Sequence, residues 1–180
     1  NGVKPDVSCV MLTGQIKLDG LLSESDWSNA QTISDLRMVE PHENGNPSFL
    51  TTVSILADSK NIYIGVICYD DLPDQIVSFS KARDSELETE DNIKIILDTY
   101  GDGRGGYIFS INPFAARYDA LVSSNGESEN PNWDGAWDAR TQIGEDNWTA
   151  EIRIPVSTLT FKKGLDTWGF NFERRIQRLL

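Results

Sequence analysis

Hydrophobic and polar residues alternate with a period of two along most of the chain, in short runs separated by Gly, Pro, Asn and Asp. This pattern is typical of β-strands that bury one face. The clearest run covers residues 51–57, and a polar turn at 58–61 leads into a second β-rich run at 62–69. Two such runs joined by a short polar connection predict a β-hairpin. Residues 92–98 and 106–112 predict a second hairpin across a Gly-rich connection.

Further alternating runs bring the predicted total to roughly nine to eleven short strands. These runs cover residues 117–122, 137–143, 148–154 and 168–174. Helical signals are weak: Ser23 is a candidate N-cap for a turn over 23–30, and Pro155 is placed to start a single turn. Neither resembles a crossover helix, so a parallel α/β sheet is disfavoured. The predicted fold is an all-β, antiparallel β-sandwich of two packed sheets.

The 180 residues fit one domain, and we expect residues 1–180 to form a single sandwich with its own core. The formal net charge of −12 argues against a nucleic-acid partner, because phosphate binding uses clustered Lys and Arg. No apolar run approaches the roughly 18 residues of a membrane span. The chain begins with neither Met nor a secretory signal. We therefore expect that an upstream part has been removed. The end at residues 177–180 has no turn or stop signal, so we also expect the native protein to continue beyond Leu180.

The two cysteines, Cys9 and Cys68, are too few for a disulfide scaffold and lack the spacing of a zinc site. Both lie among apolar neighbours, which favours buried free thiols. A disulfide between them is the alternative, and it would require an oxidising compartment.

An aromatic pair at the edge of the longest polar loop is the clearest candidate for ligand binding. Trp133 and Trp137 flank the sequence Asp-Gly-Ala, and a sugar ring can stack its C–H face on an indole while polar side chains bond its hydroxyls. Asp134, Tyr118 and Arg117 are the predicted polar partners. The alternative, of equal weight, is that both tryptophans close the end of the core.

Acidic residues at strand ends could bind calcium, which takes carboxylate and carbonyl oxygens as ligands. Asp70 and Asp98 each end a predicted strand, and Asp91 begins one. Neighbouring strand ends could bring these carboxylates together into a metal site. The competing interpretations are ordinary turn chemistry, favoured for Asp102 and Gly103, and a solvated face for the acidic run at 84–91.

A catalytic role is disfavoured. Glycoside hydrolysis needs two carboxylates held across a cleft, and no motif selects such a pair. The single histidine, His42, has no nucleophile or metal motif around it, so an exposed loop histidine is the better interpretation.

Three segments together resemble the family 9 carbohydrate-binding module and its relatives. They are residues 18–27, the strand at 62–64 that leads to Asp70, and the Trp-x-Ala-Glu-x-x-Ile-Pro stretch at 148–155. The resemblance implies a sandwich of two antiparallel sheets, structural calcium, and a sugar end held between two tryptophans. That aromatic role would pass to Trp133 and Trp137. Trp27 and Trp148 match motif positions that look structural, so we expect both in the core.

More narrowly, residues 133–137 and 169–174 resemble modules at the N-terminus of large bacterial envelope proteins that continue into an outer-membrane-type β-barrel. This resemblance implies a location outside the cytoplasm, and the parent protein could be a polysaccharide-degrading enzyme such as a xylanase. The leading hypothesis is a non-catalytic module that binds a poly- or oligosaccharide. One alternative is a docking domain that contacts the rest of its own chain or another envelope protein. A second is a haem-binding sandwich, for which His42, Met11 and Met38 are the available ligands.

Overall fold

A computed structural model describes residues 6–180, and within them eleven strands and one short α-helix are present. In chain order the strands are β1 (Val10–Met11), β2 (Thr32–Ile33), β3 (Thr51–Ala57), β4 (Asn61–Tyr69), β5 (Asn92–Asp98), β6 (Gly106–Ile111), β7 (Arg117–Ser123), β8 (Ser128–Asn130), β9 (Asp138–Ile143), β10 (Asn147–Pro155) and β11 (Gly169–Arg175). The helix α1 covers Ser25–Asn29. Among residues 6–180, no helix has both the length and the apolar composition to cross a membrane.

The strands form two sheets that pack face to face. The first sheet has the order β1-β3-β4-β10-β9, with β2 added beside β3, and the second has the order β11-β5-β6-β7-β8. The predicted sandwich is therefore confirmed. One pairing departs from the antiparallel prediction, because β1 runs parallel to β3, with Val10 opposite Leu56.

The strongest sequence signals correspond to the observed elements. The first predicted hairpin is β3 and β4, whose register places Ala57 opposite Ile62. Pro155 leads into a single 3-10 turn at Val156–Thr158, as predicted. The Ser23 prediction is wrong, because the N-cap position of α1 is Glu24 and its side chain makes no capping bond. The Glu24 carboxylate instead accepts a hydrogen bond from the Lys17 N–H, at 3.0 Å.

The main core lies between the two sheets. It is filled by alternate, inward side chains of both sheets, such as Ile64, Ile95, Phe109 and Trp148. A smaller cluster of Trp27, Leu56 and Tyr63 covers the outer face of the first sheet. This second layer explains why β3 and β4 contain continuous buried runs, since strands covered on both faces lose the polar alternation. Trp27 and Trp148 are 6% and 0% exposed, which confirms the prediction that both lie in the core.

Both cysteines are free thiols, as favoured from the sequence. Cys68 is buried, and this burial raises the pKa of its thiol to about 12. Cys9 is exposed, so the expected burial holds for one cysteine only.

Candidate functional site

The motif residues of the predicted family surround one buried carboxylate, that of Glu151 on β10. Its Oε2 atom accepts hydrogen bonds from the backbone N–H groups of Asp19 and Gly20, both at 2.9 Å. Its Oε1 atom accepts a hydrogen bond from Trp27 Nε1 at 3.1 Å. Burial raises the pKa of Glu151, and the three donors oppose that rise. We call Asp19, Gly20, Trp27 and Glu151 the motif anchor, and its role is to tie the N-terminal segment to the first sheet.

Two glycines allow this close packing. Gly20 has a φ of +89°, and an added Cβ would lie 2.8 Å from the backbone of Thr141. Gly65 on β4 lies directly opposite Glu151, where an added Cβ would lie 2.8 Å from the Trp27 ring. Glycine within a strand often marks such a close approach. The motif anchor is therefore a packing device.

The loop at residues 133–137 is held by Arg83, which the sequence analysis missed. Its Nη2 atom donates to Asp119 Oδ1 at 2.8 Å and to the Gly135 carbonyl at 2.9 Å, and it also contacts Asp134. Asp119 is fully buried on β7 and accepts a second hydrogen bond from the Gly135 N–H. Burial raises the pKa of Asp119, while the Gly135 N–H and the Arg83 charge oppose that rise. The only sequence signal for Arg83 is a basic residue that immediately precedes an acidic run.

The two candidate tryptophans pack around one core phenylalanine. The Phe109 ring centroid lies 5.9 Å from that of Trp133 and 5.2 Å from that of Trp137, and both contacts are edge-on. Trp133 is half-buried and also contacts Tyr107, while Trp137 is only 5% exposed. This placement matches the core alternative, and the two indoles do not face each other across an open slot.

Arg117 covers part of Trp137 and connects it to the surface. The guanidinium carbon lies 5.5 Å from the centroid of the Trp137 ring, and Nη1 donates to the Trp137 carbonyl. A surface concavity of about 540 Å³ opens here, beside the edge strand β9 of the first sheet. It is lined by residues 136–138 together with Arg117, Arg140, Arg153 and Pro155, and we call it the arginine concavity.

The charge of the arginine concavity is unbalanced. Asp138 Oδ1 accepts a hydrogen bond from Arg140 Nη1 at 2.7 Å. The same oxygen lies 3.6 Å from Arg117 Nη1, and Asp138 Oδ2 lies 3.9 Å from Arg153 Nη2. Those two distances are too long for hydrogen bonds. Among residues 6–180, Asp138 is the one carboxylate that makes salt bridges with these arginines, so three cations share one anion.

The remaining carbohydrate candidates, Asp134 and Tyr118, do not line this concavity. Asp134 is exposed and held by Arg83 in the same loop as Trp137. Tyr118 follows Arg117 on β7, and adjacent residues of a strand point to opposite faces. The Tyr118 hydroxyl donates to Glu129, and burial together with this bond raises the pKa of Tyr118. The structure therefore brings Arg117 and Trp137 together and separates Tyr118 from both.

The three acids predicted to bind metal do not form one centre. Asp91 and Asp98 flank opposite ends of β5, a separation of roughly 20 Å at the rise of a strand. Asp98 accepts hydrogen bonds from the N–H groups of Tyr100, Gly101 and Gly103, and so closes its own turn. The expectation that strand ends bring these carboxylates together is wrong for Asp98.

Asp70 forms a buried ion pair with Arg178. Both of its oxygens accept hydrogen bonds from Arg178, at 2.8 and 2.7 Å. Burial alone would raise the pKa of Asp70, but the bonds from Arg178 and from the Leu72 N–H outweigh it and lower that pKa. A carboxylate saturated by a guanidinium does not fit a calcium ion, which needs roughly six to eight oxygen ligands.

Asp91 is the third metal candidate. Its Oδ1 accepts a hydrogen bond from the Gln177 N–H at 2.8 Å, while the buried Oδ2 has no hydrogen-bond partner among residues 6–180. Burial raises the pKa of this carboxyl. Within the part of the chain that the structure describes, no group of three or more His, Cys, Asp or Glu side chains is arranged to hold a metal.

The haem alternative depends on three residues. His42 and Met38 lie in one short loop, where the Gly45 N–H donates to the His42 carbonyl and the Met38 N–H donates to the Gly45 carbonyl. His42 is exposed, and Met11 on β1 is 60% exposed. Nothing in this placement favours haem binding over an exposed loop, and the haem hypothesis stays a prediction.

The two-sheet sandwich is an architecture shared by many cell-surface domains, and here an open concavity lies beside its edge strand β9. The chain belongs to the carbohydrate family 9 binding domain-like family, whose sequence profile matches residues 18–175. No curated protein is similar enough in sequence to match the chain significantly.

Three solved structures share the fold. A family 9 carbohydrate binding module from Caldicellulosiruptor kristjanssonii in complex with cellotriose has a TM-score of 0.61 and 15% identity, and the match covers 93% of this chain and 76% of that one. A family 9 module from the same organism in complex with glucose has a TM-score of 0.60 and 15% identity, over 93% and 78% of the two chains. A candidate carbohydrate-binding protein from Bacteroides uniformis has a TM-score of 0.70 and 15% identity, over 96% and 84%. At this identity the likeness shows the fold alone.

Proposed function

We propose that this protein is a non-catalytic carbohydrate-binding module that works outside the cytoplasm. Family membership supports the class of ligand. The observation that carries the proposal is the arginine concavity, which has a volume of about 540 Å³ and joins Trp137 to Arg117. Ligand sites typically have volumes of about 300 to 1,000 Å³. Arg117, which the sequence selected for sugar binding, lies at this open surface, and the buried Trp137 packs beneath it.

The chemistry of this surface suits a sugar. Guanidinium groups present several N–H donors in one plane, and sugar hydroxyl oxygens can accept from them. Ala136 and Pro155 add apolar lining that can contact the C–H groups of a ring. Arg117 is already held by the Trp137 ring and carbonyl, so binding would cost little of its side-chain entropy.

Calorimetry on the folded protein tests this proposal. We expect saturable binding to at least one cello- or xylo-oligosaccharide or acidic oligosaccharide, because the concavity offers both donors and apolar contact. Arg117→Ala should abolish this binding, and Arg117→Lys, which keeps the charge without the planar fork, should weaken it. Arg37→Ala is the matched control, since Arg37 is exposed and its side chain bonds to Asn46. If a broad glycan array and calorimetry both show no binding by protein with a native circular dichroism spectrum, the proposal is wrong.

Structural calcium is a separate proposal that rests on the family resemblance. Among the three predicted ligands, only Asp91 has a buried oxygen that no described residue hydrogen bonds, and one oxygen does not make a site. Thermal unfolding in excess calcium and in excess chelator tests the ion directly. A higher midpoint in calcium that is lost in Asp91→Asn would support it, and equal midpoints in both buffers would exclude it.

A further inference from the structure

We infer that the arginine concavity recognises the anionic group of an acidic saccharide, with the carboxylate of a uronic acid as the best fit. This inference rests on the proposed carbohydrate-binding function and specifies its ligand. It adds the requirement that the ligand carry a negative charge. The family match does not specify the charge of a ligand, and cellotriose and glucose, the sugars in the similar structures, are neutral.

The first argument is the local charge. The whole chain carries a formal net charge of −12, yet this concavity gathers three arginines around one aspartate. Arg117 and Arg153 approach Asp138 at 3.6 and 3.9 Å without hydrogen bonding to it. Their charges are therefore only partly compensated within the protein. A second anion that entered the concavity would bring the local charge close to balance.

The second argument is rigidity. Arg153 and Asp138 are direct cross-strand partners on β10 and β9, and Arg140 lies two residues further along β9 on the same face. Arg117 comes from β7 in the other sheet and is held in place by Trp137. All three arginines thus stand on strands, and sites on regular elements hold their geometry better than sites on loops.

The third argument concerns the kind of anion. A planar guanidinium matches a carboxylate with two parallel hydrogen bonds, which fixes orientation as well as charge. A small free anion would use the charge but leave the apolar contacts of Ala136 and Pro155 unused. A sugar ring that carries a carboxylate uses both. A nucleic acid is long enough to be repelled by the strongly acidic remainder of the surface. A single uronate is not, because salt at physiological concentration screens charges that lie more than about 8 Å away.

The test compares matched ligands by calorimetry. The probes are an unsubstituted xylo-oligosaccharide, the same oligosaccharide with a glucuronic acid branch, and the methyl ester of that acid, which keeps the shape and removes the charge. A sulfated oligosaccharide and free sulfate complete the set. We expect the acid to bind at least about tenfold more tightly than its ester, because a charge-assisted hydrogen bond is lost in the ester. The preference should shrink as salt is raised.

Variants then assign the preference to the arginines. Arg153→Gln and Arg140→Gln should each reduce the preference for acid over ester about tenfold or abolish it. Binding of the neutral oligosaccharide should weaken in both variants by a smaller factor than binding of the acid, because the lost guanidinium also donates to hydroxyls but without charge assistance. Arg37→Gln removes an exposed arginine outside the concavity and should leave the preference unchanged.

Each outcome has a separate meaning. Equal affinity for acid, ester and neutral oligosaccharide would overturn the inference and leave the carbohydrate-binding function standing. Tighter binding of the sulfated probe than of the acid would reject the uronate and retain an anionic saccharide. Free sulfate bound as tightly as the acid would overturn the inference, as would variants that lower thermal stability without changing the preference. Failure of every saccharide would overturn the proposed function itself.

Discussion

Two polar clusters lie close together beside strands β9 and β10 of the first sheet, and they differ in how their charges are balanced. In the motif anchor, one buried carboxylate, that of Glu151, is satisfied by three neutral N–H donors, and no cation from residues 6–180 makes a salt bridge with it. In the arginine concavity, three cations share the single carboxylate of Asp138 in partial contact with water. The register places Arg140 directly opposite Glu151, so the two clusters are neighbours across β9 and β10.

This difference separates residues that build the fold from residues that meet a ligand. The anchor is closed, fully hydrogen bonded and formed by the family motif. The concavity is open, has excess positive charge and lies largely outside that motif. The motif residues therefore identify the sandwich fold, and the ligand must be inferred mainly from residues outside the motif, such as Arg117 and Arg140.

Truncation of the anchor should have the largest effect. Glu151→Ala leaves the N–H groups of Asp19, Gly20 and Trp27 without their acceptor, and we expect a loss of more than about 3 kcal/mol in the free energy of unfolding. Glu151→Gln keeps the shape and one acceptor oxygen, so it should lose clearly less. Urea unfolding followed by tryptophan fluorescence measures both. Equal stability of the two variants would mean that the three donors find water instead.

Removal of the Arg83 side chain should have the next largest effect and should connect the two regions. Arg83→Met leaves the buried Asp119 carboxylate without its cation, so we expect a loss of about 2 kcal/mol in unfolding free energy. Oligosaccharide affinity should fall as well, because the loop that carries Trp137 loosens. Arg37→Met is the control, since Arg37 is exposed and its side chain bonds to Asn46. Unchanged affinity in a destabilised Arg83→Met would show that the concavity does not depend on this loop.

Stability should change with pH in two opposite ways. Burial raises the pKa of Asp91, Asp119 and Glu151, so the folded protein binds protons before the unfolded chain does. Stability should therefore rise as pH falls from neutral, until the unfolded carboxyls also protonate near pH of about 4. The pKa values of Asp70 and Glu90 are lowered, so their contribution is lost as pH falls below that point.

Thermal midpoints across this pH range measure the balance, and a maximum in mildly acidic buffer is expected. Glu151→Gln should flatten the rise between neutral and acidic pH, because it removes one of the three raised groups. A midpoint that falls steadily from neutral pH downward in the native protein would contradict the expected sign.

The smallest effect is expected at Tyr118. Tyr118→Phe removes a hydrogen bond to the exposed Glu129, so the unfolding free energy should change by no more than about 0.5 kcal/mol. Oligosaccharide affinity should not change, because Tyr118 and Arg117 point to opposite faces of β7. A clear loss of oligosaccharide affinity in calorimetry would mean that Tyr118 does contact the ligand.

Local patterns in the sequence predicted the fold well and the site only in part. The period of two defined long strands such as β5 and β10, because a strand with one buried face alternates visibly. It missed the two- and three-residue strands β1, β2 and β8, which are too short to carry a period. Trp27 and Trp148 were predicted in the core, where they lie.

The site depends on contacts between residues far apart in the chain. Arg83 bonds to Asp119 and Gly135, which lie 36 and 52 residues away, and no local pattern contains that information. Arg140 and Arg153 meet Asp138 only through the register of β9 and β10. Trp137 was selected as an exposed aromatic because indoles in polar loops are conspicuous, but Phe109 and Arg117 cover it.

The unequal burial of the two cysteines has a practical consequence. A thiol with a pKa of about 12 carries almost no thiolate at neutral pH, so Cys68 will resist alkylating reagents while the protein stays folded. Cys9 is exposed on the N-terminal segment beside β1, and although partial burial also raises the pKa of its thiol, reagents can reach it in the folded protein. The native sequence therefore offers a single attachment point for a fluorophore or spin label, and labelling of Cys68 would report unfolding.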